Sequence, residues 1–189
     1  MTGRRRVGLA VAVLATLLGG CARYSLVEPK PRTIADRYTV DPQISWSALT
    51  DGKWELWTVD GFGLESIQFL GGLNDGEPLF RTADDQKRLK FRKDMSASEL
   101  VELLVDGLTS IGAQKITVTN LRPHRFGSAD GFRCELAFVT RNGLEKRGMA
   151  AGGTIDGRLY LVLYSGARLH YYETHRDDAE RIIQSIHMK

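Results

Sequence analysis

The 189-residue chain is poor in proline, with 5, and in cysteine, with 2, and outside its first residues it carries no excess of either charge. So little proline excludes a polyproline or collagen-like chain. Two cysteines exclude a scaffold stapled by disulfides, so the folded part has to be stable through its core. The net charge of +3 is that of Arg4, Arg5 and Arg6: the 26 basic residues less these 3 leave 23, against 23 acidic ones. A neutral body lacks the basic footprint of a nucleic-acid binder. The apolar stretch at residues 7–18 is shorter than the roughly 20 residues that a membrane-spanning helix requires. What is present, 42% hydrophobic and 26% charged residues, is the composition of an ordinary globular domain.

The N-terminus carries the most specific pattern. A charged region at Arg4, Arg5 and Arg6, the apolar stretch and the small residues Gly19 and Gly20 form the three-part layout of an export signal. Leu18-Gly19-Gly20-Cys21 resembles the lipobox of bacterial lipoproteins. The resemblance implies that Cys21 takes a diacylglyceryl anchor with palmitate-type acyl chains, that the bond before it is cut, and that Ala22, in place of Asp, directs the protein to the outer membrane. The alternative is an ordinary secretory signal ending on an accidental cysteine. The resulting expectation is a signal peptide at 1–20, a lipid-anchored tether at 21–37 marked by Pro29, Lys30, Pro31 and Arg32, and a single α+β domain at 38–189.

Within that domain the periodicities predict strands, a helix, more strands and a final helix. Residues 54–59 and 64–69 read as a strand pair, and 87–93 as a further strand. Ser96 and Glu99 form a capping box ahead of Leu100, Leu103, Leu104, Leu108 and Ile111 at helical spacing, with Gly112 as the stop. Stretches 116–121, 132–140, 144–151 and 158–164 read as an antiparallel meander, turning at 127–131, Asn142-Gly143 and Asp156-Gly157. The alternation at Phe132, Cys134, Leu136 and Phe138 puts Cys134 on the core face, as a buried thiol in place of a nucleophile. In the last helix Thr174 reads as the cap, Asp177 and Asp178 as first-turn acids, and Ala179, Ile182, Ile183 and Ile186 as the buried stripe. Both faces of 159–164 are apolar, which predicts a mid-sheet strand with cover on each side. The expected fold class is therefore α+β, an antiparallel β-sheet meander with helices packed on both faces.

This element order, closed by the Asp177 to Ile186 helix, resembles the PsbP-like fold, an α-β-α sandwich. The resemblance covers residues 39–189 and matches no invariant motif. It implies a binding or assembly module with no shared catalytic constellation and no cofactor.

The residues that carry chemistry point the same way. The densest polar cluster, at 170–178, is similar to the inverzincin H-x-x-E-H pattern. Here, however, the histidines are five apart, and about 100° per helical residue leaves their rings on different sides. The bland reading is a strand-to-helix junction with its cap and first-turn acids. A small periplasmic hydrolase or metal-dependent enzyme using His170, Glu173 and His175 is the alternative function. Neither 107–112 nor 61–66 has the spacing of a serine elbow or a phosphate loop. No catalytic or metal-binding residue is therefore assigned. In 87–93, strand alternation puts Leu89 and Phe91 inward and Arg88, Lys90 and Arg92 outward. That row either meets anionic lipid head groups or is a solvated edge strand. The apolar loop at 71–80 either folds back on the core or offers a partner contact. The function expected is a lipid-anchored, non-enzymatic binding or assembly module at the periplasmic face of the outer membrane, with an envelope protein as its partner and no nucleic acid.

Overall fold

The computed structural model describes residues 24–83 and 85–189. The expected signal peptide at 1–20 and the lipidation residue Cys21 lie outside the described residues.

Eight strands form one antiparallel sheet: β1 (Ser25–Val27), β4 (Trp46–Asp51), β5 (Trp54–Thr58), β6 (Glu65–Leu73), β7 (Gln114–Phe126), β8 (Ala129–Val139), β9 (Glu145–Ile155) and β10 (Arg158–Ala167). Their order is β1-β4-β5-β6-β10-β9-β8-β7, two up-and-down runs joined where β6 pairs with β10. A small second sheet contains β2 (Arg32–Ile34), β3 (Tyr38–Val40) and β11 (His187–Met188). The two helices, α1 (Ala97–Ser110) and α2 (Tyr171–Gln184), have 14 residues each.

Strand β10 is the middle of the core, as its two apolar faces predict. Leu159, Leu161 and Leu163 join Phe132 and Cys134 on one side, whereas Tyr160, Val162 and Tyr164 join Trp46, Trp57 and Phe69 on the other. Helix α2 lies along β10, β9 and β6, with Ala179, Ile182 and Ile183 inward. Its first turn can land there because residue 166 is glycine: a Cβ at Gly166 would stand 2.7 Å from the Tyr172 Cα.

The expected fold class needs correction. The chain is mostly antiparallel β-structure, and it is not a sandwich with a helical layer on both faces. Only α2 lies along the sheet. Helix α1 approaches it in backbone along β7, and the face it shares is covered by a mixture of its leucines with Leu79, Phe91 and Met95 from the connection before it. One continuous meander is not formed either, because the β6–β10 pairing joins strands far apart in sequence.

Three local expectations also change. Residues 87–93 form no strand; a 3-10 turn at Asp85–Lys87 and a lone bridge from Lys90 to Pro78 stand there. From Tyr24 onward, the expected tether belongs to the fold, with β1 paired to β4, β2 paired to β3, and Val27 and Ile34 buried. Helix α2 begins at Tyr171, ahead of Thr174, whose hydroxyl donates back to the His170 carbonyl. The α1 capping box between Ser96 and Glu99 forms as read, and Cys134 is fully buried. The 71–80 loop folds back, with Leu73 and Leu79 in the core and Phe80 stacked on Trp54.

Candidate functional site

A polar cleft of about 540 Å³ opens between α2 and the β7–β9 part of the sheet. Local periodicities build it. Thr117 and Thr119 alternate along β7, Arg133 and Glu135 along β8, and Arg147 and Met149 along β9, so each strand sends every second side chain into it. Helix α2 contributes Tyr172, Glu173, Arg176, Asp177 and Glu180, which recur at helical spacing on one side.

Most of the charges in the cleft are matched, with Arg122 on the β7 wall the exception among the described residues. The two terminal guanidinium nitrogens of Arg133 donate to the two carboxylate oxygens of Glu180, while its Nε is buried without a partner. This fork holds the Glu180 carboxyl below its ordinary range and raises the Arg133 pKa further. Arg147 and Arg176 each reach Glu173 at 3.1 Å, and the Arg147 guanidinium stands 6.0 Å over the Tyr172 ring. Glu135 accepts from the Asn120 amide at 3.1 Å. Burial raises the Tyr172 phenol, which keeps it protonated at neutral pH. Such a surface offers fixed donors and acceptors in fixed charge states, which suits recognition of a complementary polar surface.

The residues of the alternative reading are spread out. His170 is exposed at the start of α2, Glu173 is held by the two arginines, and His175 is turned inward. The His175 Nε2 is 3.0 Å from Asp60, its Nδ1 is 4.0 Å from Asp178, and its ring lies 5.9 Å from Trp46. Among the described residues, no group of three or more His, Cys, Asp or Glu side chains could hold a metal ion. In the basic row, Arg88 lies 3.8 Å from Asp106 and Arg92 lies 2.7 Å from Glu99, while Lys90 is exposed. Of the cleft residues, sequence reasoning singled out only those of the 170–178 cluster, Glu173 among them, and for a different role. Their outward positions follow from periodicity, but the meeting of β8 with the far end of α2 is a tertiary fact with no local signal.

No protein-family model matches the chain, and no curated protein matches it. Among solved structures it is similar to cyanobacterial PsbP (CyanoP) from Synechocystis sp. PCC 6803, at 13% identity and a TM-score of 0.50 over 90% of this chain and 95% of that one. It is also similar to LpqN, involved in cell envelope biogenesis of Mycobacterium tuberculosis, at 10% identity and a TM-score of 0.39 over 91% of this chain and 87% of that one. The likeness to cyanobacterial PsbP is one of fold, and the fold of this chain is PsbP-like.

Proposed function

We propose that this protein is a lipid-anchored, non-enzymatic binding module at the periplasmic face of the bacterial outer membrane, which engages an envelope partner through the cleft between α2 and β7–β9. The observation that carries this reading is the matched set of arginines and carboxylates in the cleft. Catalysis calls for a nucleophile, acid or base poised near neutral pH. The cleft instead holds guanidiniums, a Glu180 carboxyl held below its ordinary range and a protonated phenol, which recognise charge and shape. The anchor rests on the lipobox at Leu18 to Cys21. Three residues span at most about 11 Å, so an acyl chain on Cys21 would hold the β1 edge of the sheet close to the bilayer. Lys90, the member of the basic row that is exposed and not held in an ion pair among the described residues, is a further contact for anionic head groups.

The test places a photocrosslinking residue at Thr119, on the exposed β7 wall of the cleft, in cells that express the whole chain. A specific protein adduct that disappears in Arg147→Glu supports the reading. Absence of any adduct, together with hydrolytic turnover that depends on His170 or His175, would move the enzyme alternative ahead. Intact-mass measurement of the mature chain tests the anchor separately: it is expected to begin at Cys21 with acyl mass attached, and a mature chain without that mass refutes the anchor.

A further inference from the structure

On the sheet face that meets α1, four adjacent strands leave a second, smaller pocket of about 170 Å³. Its floor is polar. Ser66 on β6 pairs directly with Ser165 on β10, and Lys146 on β9 lies beside them, opposite Ala167. The walls are apolar, with Phe138 and Leu163 from the sheet, Leu108 from α1 and Phe62 from the β5–β6 turn. Exposed Arg141 closes one side, packed against Gly112 just beyond the end of α1.

Lys146 is the unusual group. It is 6% exposed, yet among the described residues it has no carboxylate within 4 Å and no hydrogen-bond partner. A buried ammonium with no ion-pair partner in reach is costly, and the only carboxylate acting on Lys146, that of buried Glu65, does so from beyond 4 Å. Lys146 instead lines an open space, next to a second cation and two hydroxyls. Burial accordingly lowers its pKa.

We propose that this pocket binds a small organic monocarboxylate. Its carboxylate sits between Lys146 and Arg141 and accepts from the hydroxyls of Ser66 and Ser165, and its apolar body lies against Leu108, Phe138 and Leu163. The ligand then supplies the close ion-pair partner that no side chain provides within 4 Å of Lys146. The volume admits a short acyl or single-ring acid, and a longer acyl chain would have to leave past Phe62. The site is separate from the α2 cleft and does not depend on a lipid at Cys21.

Straight-chain acids of two to eight carbons, titrated calorimetrically into the whole chain, test this, with 1-hexanol and inorganic phosphate as controls. Hexanoate is expected to bind saturably at one equivalent, and 1-hexanol and phosphate at least tenfold more weakly. Lys146→Met should weaken hexanoate at least tenfold and Arg141→Gln severalfold, with the fold intact, because removing an unpaired buried charge does not destabilise it. The proposal is overturned by any of three results: no saturable binding across the acid series, 1-hexanol equal to hexanoate, or unchanged hexanoate affinity in Lys146→Met.

Discussion

Cys134 shows how far a single side chain can be read. Period-two alternation placed it with Phe132, Leu136 and Phe138, and all four are buried on the α1 side of the sheet. Burial pushes its thiol up from 9.0 to about 11, so the folded state holds the neutral form through the physiological range. The sign of the linkage follows. A thiol whose folded pKa lies above its unfolded one contributes stability that is intact below pH 9.0 and declines as pH rises toward about 11. Native protein is therefore expected to resist thiol reagents until it unfolds, and Cys134→Ser should cost about 1–3 kcal/mol by placing a hydroxyl in an apolar site. Denaturant titration and labelling rates check both; rapid labelling of the native state contradicts them. Arg133, the next residue, shows where reading stops. Its outward direction was legible, but its guanidinium is buried because Glu180 on α2 covers it, and nothing near either residue announces the other.

Helices and strands were legible to the extent that their signals are local. The α1 capping box, the hairpin at Asp156-Gly157 and the two-faced β10 all depend on neighbours in sequence, and all formed as read. The start of α2 did not. Thr174 resembles a cap, yet the chain enters the helix four residues earlier through His170, at φ 78° and ψ −66°, with the Tyr171 amide donating to the Leu169 carbonyl. That is a γ-turn of the rare, strained hand. It persists because the helix is fixed from outside itself, by the seating of Tyr172 over Gly166 and by the Tyr164 hydroxyl donating to the Tyr172 carbonyl at 2.8 Å. Gly166→Ala should accordingly lift the first turn of α2 off β10 and cost about 1–3 kcal/mol, the usual range for an overpacked contact. Hydrogen exchange localises the effect: faster exchange confined to the first turns of α2 is expected, and an unchanged pattern with unchanged stability would contradict the contact. The 87–93 stretch failed as a strand for a related reason. Its alternation is real, with Phe91 buried, but no neighbouring strand offers an edge beyond the bridge at Pro78.

The shape of the whole molecule is decided by pairings that span long stretches of chain, and these were the least legible. The β6–β10 junction joins residues almost a hundred apart, and the small sheet brings β11 near the C-terminus against β3. The same effect moves the boundary of the fold. Prolines and charges made residues 21–37 read as a tether, but Val27 and Ile34 are 2% and 0% exposed, Arg32 is 2.6 Å from Glu55, and the Tyr24 ring stacks on Phe62 at 5.8 Å. Short strands with one buried apolar side chain each give no periodicity to detect, and they are stable only as additions to sheets built elsewhere. The consequence can be measured. A true tether could be removed at no cost, whereas losing β1 and β2 gives up the burial of two aliphatic side chains, each worth about 1.5–3 kcal/mol, and removes the strand partners of Trp46 and Tyr38. A chain beginning at residue 38 is therefore expected to be at least about 3 kcal/mol less stable than one beginning at residue 24, or to lose cooperative unfolding altogether. If both fragments unfold at the same denaturant concentration with the same slope, residues 24–37 are a linker after all.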